Sequence, residues 1–358
     1  MARAILLPTP GDPFLLKYWV DNFQKIYLKE VDRLYVCLNT PAEKPVIDYI
    51  LGYLKAPNIR VMYLDHFIDH GEAINQLLNL LLPQDEYIML AEDDGFVFRP
   101  DYVSYCFTRI ESGKYDVVAG KRGSCHVEIL KAAQKKWGLE YEGEGDQGPN
   151  FWPCFFFCHR DLLIKETTRQ FCGKTWKNGE VIDELDSHVV QADLCPSDTF
   201  VQASLQIRNA IPDHRIKIVP QYHGHPDDAQ HFQDKKYLFD GGAFWCHIGS
   251  LSSGFNGVLQ DPQGRPLARR LTAEASDGRL PKEWIHDSDF GRREWERRVQ
   301  WWFTAYEHVK NETMEPGIAL IRDLYRDAIQ RIISQWDLSF SAISKRMLFY
   351  QSIGMQIP

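Results

Sequence analysis

Three consecutive carboxylates, Glu92, Asp93 and Asp94, close the apolar run Tyr87–Ala91 and are followed by Gly95. Hard oxygen donors in that number suit Mg²⁺ or Mn²⁺. A divalent ion there would bridge two phosphates of a nucleotide and stabilise a departing diphosphate as a Lewis acid. The competing reading is a solvated acidic turn. The place at a strand's carboxyl end, where open α/β sheets bind ligands, favours chemistry. His247 is the second residue of interest. It stands in Gly242-Ala-Phe-Trp-Cys-His247-Ile-Gly, an aromatic strand running into a Gly/Ser-rich turn. Small residues after it would bare backbone N–H groups to a metal–phosphate group, and a buried structural histidine is the alternative. Asp198, in Ser197-Asp198-Thr-Phe-Val, falls where a helix is expected to begin. It reads either as a general base presented at the helix start or as an N-cap, a role Ser197 could also fill.

Other clusters yield to simpler explanations. Asp287-Ser288-Asp289 precedes a helical pattern and reads as an N-cap. Gly143-x-Gly145-x-x-Gly148 follows no strand and opens no helix, so it is no dinucleotide fingerprint. His223, His225 and His231 read as a polar surface loop, with metal binding as the rival. Cys154, Cys158 and His159, with Cys125 and His126, could suggest zinc; small apolar core thiols explain them more simply.

The elements that must position these groups alternate between strand and helix. Strands are expected at Ala4–Leu7, Arg33–Leu38, Ile59–Leu64, Tyr87–Ala91, Asp116–Ala119, Phe151–Cys158 and Ile216–Val219. Helices are expected at Phe14–Tyr27, Pro45–Leu54, Gly71–Leu82, Val127–Trp137 and Thr199–Asn209. Such repeats imply parallel strands joined by right-handed crossovers. One sheet edge would then carry Pro8–Pro10, Asn39, Asp65–His70 and Glu92–Asp94. Residues 256–280, rich in Gly, Pro, Arg and Ser, read as a linker or ordered loop, and residues 281–358 as an α-helical C-terminal appendage.

The 358 residues carry a net charge of −8, which argues against a basic nucleic-acid coat. No apolar run reaches the roughly 18 residues of a membrane span. The start has too short an apolar stretch for a signal peptide, and the eight cysteines hold no Cys-x-x-Cys pair. Reduced thiols and a cytoplasmic location are expected.

The ordered set of motifs resembles the GT-A fold glycosyltransferases, inverting and family-2-like, over roughly residues 3–255. The resemblance implies an α/β fold: a Rossmann-like, mixed and mostly parallel sheet flanked by helices. Residues 1–120 would form the nucleotide-sugar half and 121–255 the acceptor half. His70-Gly71-Glu-Ala-Ile-Asn75 resembles the family's Gly-x-x-x-Ala-x-Asn helix start, and Glu92-Asp93-Asp94 its Asp-x-Asp motif. The family would then place Asp94 on the metal, with Glu92 or Asp93 assisting metal or ribose binding and His247 as a late metal ligand. Pro8, Thr9, Pro10, Asn39, Asp65, Gly71, Asn75 and Asp93 would line the donor. Asn150–Asp161 resembles the segment closing the sugar and acceptor pocket, which points to Trp152 and Arg160. Ser197-Asp198 resembles the Glu-Asp motif of the catalytic base, with Ser in place of Glu. Asn39-Thr40 replaces the family's Asp-rich turn after the second strand.

The implied activity is metal-dependent transfer of a sugar from a nucleoside-diphosphate sugar, a UDP-sugar first, to a hydroxyl of a glycan or small molecule. Arg292 and Arg297, in an arginine cluster at helical spacing, keep open a phage-like alternative, transfer to hydroxymethylated bases of DNA; a solvated helix face is the plainer account. Two further alternatives are a sugar nucleotidyltransferase and a non-catalytic carbohydrate-binding protein. The first is disfavoured because residues 8–17 carry Lys17 as their sole basic residue.

Overall fold

Strands covered on both faces read as continuous apolar runs, and the first of them starts at the second residue. The computed structural model describes residues 1–9, 11, 16, 19–21, 23–24, 29–39, 44–64, 66, 68–93, 95–97, 101–121, 125–139, 149–219, 221–222, 245–247 and 352. Pro10, Asp65, Asp94, Arg292, Arg297, the Gly143–Gly148 loop, the His223–His231 segment and the expected linker and helical appendage lie outside the described residues. Of Trp152 and His247 the backbone alone is described.

In chain order the strands are β1 (Ala2–Thr9), β2 (Arg33–Asn39), β3 (Ile59–Leu64), β4 (Asp85–Ala91), β5 (Gly95–Val97), β6 (Val117–Lys121) and β7 (Phe151–His159). They continue with β8 (Thr175–Lys177), β9 (Val181–Ile182), β10 (His188–Val189), β11 (Leu194–Pro196), β12 (Ile216–Val219), β13 (Gln221–Tyr222) and β14 (Trp245–His247). The labelled helices are α1 (Lys44–Tyr53), α2 (His70–Leu80), α3 (Asp101–Glu111), α4 (Val127–Trp137), α5 (Arg160–Lys165) and α6 (Val201–Ala210).

Seven strands form the central sheet in the order β12-β6-β7-β4-β1-β2-β3. All neighbours are parallel except β7, which runs antiparallel to both β4 and β6. This is the mixed, mostly parallel α/β sheet expected of a GT-A-type chain. Successive side chains alternate between the sheet faces. Ala4, Leu6, Tyr35, Cys37, Ile88, Leu90, Phe156 and Cys158 share one core with Ala73, Ile74, Leu77 and Leu78 of α2 and Ala203 and Ile207 of α6. On the sheet, Phe157 meets Phe107 of α3 edge-on, with ring centroids 5.1 Å apart. The α3 helix lies outside the expected elements. Its apolar positions Val103, Cys106, Phe107 and Ile110 do follow helical spacing, and all four are buried.

The amino edge of the sheet is fastened by Asp85, which is fully buried. Its carboxylate accepts from Arg33 Nε at 2.7 Å, from the Tyr35 hydroxyl, and from the Leu82 N–H at 3.0 Å. A buried carboxylate is tolerated only with such partners. At the opposite edge, beyond the carboxyl end of β4, β5 joins β14 and β13 in a three-stranded sheet.

Residues 172–197 form a small lobe of two short antiparallel pairs, β8 with β11 and β9 with β10. Trp176, Ile182, Leu185, Val190 and Cys195 pack there against Ile129 and Ala133 of α4 and Leu205 of α6. No helix among the described residues is long and apolar enough to cross a membrane.

Candidate active site

The β4 strand delivers its acidic residues at the carboxyl edge of the sheet, and three contacts fix them. The Gly95 N–H donates to the Glu92 carbonyl at 3.0 Å, closing segment 92–95. Asp93 is buried, and its Oδ2 accepts the Thr9 hydroxyl at 2.7 Å from the end of the neighbouring β1. The same Thr9 oxygen accepts the Gly11 N–H at 3.0 Å. His70 Nδ1, at the start of α2, lies 3.6 Å from Glu92 Oε1. Glu92 is partly buried and Asp93 buried, and both offer hard carboxylate oxygens. That donor chemistry fits Mg²⁺ or Mn²⁺.

The sheet β13-β14-β5 brings a distant segment to this place. In the antiparallel β5–β14 pair, His247 stands opposite Gly95, Cys246 opposite Phe96 and Trp245 opposite Val97. The backbone of His247 is therefore beside the residue that directly follows Asp94. A Cβ on Gly95 would come within 2.2 Å of the Cys154 sulfur, so this close approach of β5 to β7 needs glycine.

Segment 171–173 links the start of α2 to Asp198. A Cβ on Gly71 would lie 2.2 Å from the Cys172 backbone nitrogen, and one on Gly173 would lie 2.9 Å from the Ser197 carbonyl oxygen. The Phe200 N–H donates to the Phe171 carbonyl at 2.7 Å, and the two rings stack with centroids 5.4 Å apart. Asp198 is exposed, and its Oδ1 accepts the Thr199 N–H at 2.8 Å. It does not cap α6, and neither does Ser197. Phe200 precedes the helix in the left-handed region, φ 70°, with no side-chain cap bond. The reason is prior commitment: the Ser197 hydroxyl donates to the Lys174 carbonyl at 2.8 Å and accepts its N–H at 3.2 Å.

Several residues expected to line the donor have internal partners. Thr9 is buried, with its hydroxyl engaged by Asp93 and Gly11. Asn39 is turned onto Ile68, donating to its carbonyl at 2.7 Å and accepting its N–H at 2.9 Å. The Gly71 N–H donates to Asp69 Oδ1 at 2.8 Å, the N-cap bond of α2. Asn75 donates to the Arg169 carbonyl at 2.9 Å and accepts from Arg169 Nε at 3.2 Å. These bonds hold all four residues in fixed positions. Pro8 is the penultimate residue of β1, buried and paired with Cys37.

Arg160, expected at the acceptor, is placed elsewhere. Because β7 is antiparallel, its end at His159 lies opposite Tyr87, towards the amino edge of β4. From there Arg160 donates to the Leu82 carbonyl at 3.1 Å. Trp152 is at the other end of β7, beyond the Phe155–Ala91 pair and so at the edge that carries Glu92. Sequence reasoning gave no separate role to His70 or to segment 171–173. The Gly71 and Gly173 positions were the available signal, since glycine permits close backbone approach.

Neither a protein-family model nor a curated protein matches the chain. Among solved structures, the chain is similar to the galactosyltransferase LgtC in complex with donor and acceptor sugar analogs, at 12% identity and a TM-score of 0.40, over 79% of this chain and 98% of that one. It is also similar to the mannosyltransferase PcManGT from Pyrobaculum calidifontis in complex with GDP-Man and Mn²⁺, at 11% identity and a TM-score of 0.36, over 97% and 87%. A third is 4-diphosphocytidyl-2C-methyl-D-erythritol synthase from Anaerococcus prevotii, at 14% identity and a TM-score of 0.35, over 61% and 86%. The fold assignment rests on the strand order of the chain itself.

Proposed function

We propose that the chain is a metal-dependent, inverting glycosyltransferase. It would move a sugar from a nucleoside-diphosphate sugar, a UDP-sugar being the first to try, to a hydroxyl of a glycan or small molecule. The supporting observation is the convergence at the carboxyl end of β4. Glu92 and Asp93 stand there, Thr9 locks Asp93, and His247 is in register with Gly95.

In this reading Glu92, Asp94 and His247 hold the divalent ion. Bound there, the ion supplies positive charge to the departing diphosphate. Asp93 keeps the acidic segment in place through Thr9. Asp198 takes the proton of the acceptor hydroxyl as its oxygen attacks the anomeric carbon. The bond from that carbon to the diphosphate oxygen breaks on the opposite face, so configuration inverts and no covalent enzyme intermediate is needed. The exposure of Asp198 suits a base that must meet an incoming acceptor.

A panel of nucleotide-sugars, assayed for released nucleoside diphosphate with and without Mn²⁺, tests the proposal. Release from at least one donor, abolished by chelator and restored by Mn²⁺ or Mg²⁺, is expected. Release of pyrophosphate from a nucleoside triphosphate and a sugar phosphate, with no donor turned over, would assign the chain to nucleotidyl transfer instead.

A further inference from the structure

A second cluster of ligating side chains lies where α4 meets the lobe of residues 172–197. His126 is the N-cap of α4, Glu128 is in its first turn, and Cys195 is in β11. One ligand atom from each lies within 4.8 Å of the others. We propose that these three residues bind a zinc-class divalent ion that staples the lobe of residues 172–197 to α4.

The donor set argues for the class of ion. An imidazole nitrogen, a carboxylate oxygen and a thiolate sulfur suit zinc, whereas Mg²⁺ and Ca²⁺ prefer oxygen alone. With bonds of about 2.0–2.3 Å, tetrahedral ligands lie roughly 3.5 Å apart. Side-chain shifts of about an ångström therefore close the observed cluster onto an ion.

The surroundings are built for such ligands. Glu128 Oε1 lies 2.7 Å from His188 Nε2 and accepts the Gln191 N–H at 2.7 Å; Oε2 accepts the Ala192 N–H at 3.0 Å. A carboxylate has about four lone-pair positions, so one remains on Oε2. The His126 Nδ1 contact to the Glu128 N–H is long, 3.3 Å, and exchanging it for a metal bond costs little. The Ile129 N–H donates to the Cys195 sulfur. A carboxylate beside a buried thiol gains from a cation that neutralises both, because a coordinating thiol is deprotonated outright. Trp176, Ile182 and Val190 pack around Cys195 and limit water access, as a structural site requires.

The ion would act on the site at a distance. Asp198 follows Cys195 by three residues, so fixing β11 fixes the segment that presents Asp198. The proposal stands independently of the β4-edge site, where Glu92, Asp94 and His247 would hold a harder ion.

Tag-free full-length protein is loaded with Zn²⁺, desalted and measured for metal by mass spectrometry. A parallel sample takes Co²⁺ for absorption spectroscopy. Wild type should retain about one zinc per chain and show a near-ultraviolet thiolate-to-cobalt band. Cys195→Ser should lose the band and at least tenfold in zinc affinity. His126→Asn keeps a good N-cap and should also lose at least tenfold, so it decides the matter if the serine variant fails to fold. Cys154→Ser, outside the cluster, should bind zinc as wild type does. Substoichiometric zinc in wild type, or unchanged affinity in His126→Asn, overturns the proposal.

Discussion

His247 and Gly95 are partners across the antiparallel β5–β14 pair, which sets His247 beside the acidic end of β4 from a distant part of the sequence. The register matters because a shift of one residue would turn every side chain of β14 to the other face. The close approach of the Cys154 sulfur to Gly95 sets β5, the strand that β14 pairs with, tightly against β7.

Asp198→Asn should keep donor binding and reduce turnover by about 10²–10⁴-fold, the usual yield of general acid–base catalysis. Steady-state kinetics paired with calorimetric donor titration checks this. A collapse of donor affinity would move Asp198 out of the base role, with Asp193 next to examine.

Thr9→Val keeps the shape of the side chain and removes the hydroxyl that Asp93 accepts. It should destabilise the fold by about 1–3 kcal/mol, the cost of depriving a buried polar group of a partner. Thr9→Ser should restore most of that loss. Urea unfolding of the three proteins gives the comparison.

Gly71→Ala sets a methyl group 2.2 Å from the Cys172 backbone nitrogen. The backbone of one segment must yield, at a cost of about 1–3 kcal/mol for overpacking. Because the same segment supports Asp198, turnover should fall as well. An alanine variant with wild-type stability and turnover would contradict the link between α2 and Asp198.

Acid should loosen the small lobe through Glu128. Burial raises its pKa, but the Gln191 N–H, His188 and the Ala192 N–H outweigh that and hold it below the ordinary value of 4.5. A carboxylate with a depressed folded pKa contributes stability that is complete above its unfolded pKa. That stability is lost as pH falls through the folded value. Protection of the Gln191 and Ala192 amides, measured against their intrinsic exchange rates at each pH, should therefore fall on acidification below about 4.5. In Glu128→Gln that protection should be low already at neutral pH and show no acid step.

The sheet was legible because its strands are apolar runs bounded by turn residues. Ile59–Leu64, Val127–Trp137 and Ile216–Val219 match their expected limits. Strand β1 extends to Thr9, and β4 begins at Asp85, because paired polar residues continue a ladder that hydrophobicity alone ends early. The small lobe was illegible: β8 to β11 are two or three residues long, below any detectable period. The acidic turn could be found from its own sequence. That Thr9, Asn39, Gly71 and Asn75 are internally bonded could not, since their partners are set by tertiary packing. The His126–Glu128–Cys195 cluster escaped for the same reason, with α4 and β11 separated along the chain. That Arg160 falls towards the amino edge of β4 could not be read either, because the antiparallel direction of β7 is invisible in its composition.

The most direct test is calorimetry of UDP binding with Mn²⁺, with chelator, and in Asp94→Asn. The account predicts binding that requires the metal and falls at least tenfold in Asp94→Asn while the circular dichroism spectrum is unchanged. UDP binding of equal affinity in chelator, or in the variant, would contradict the assignment of the β4 carboxylates to a metal-held nucleoside diphosphate.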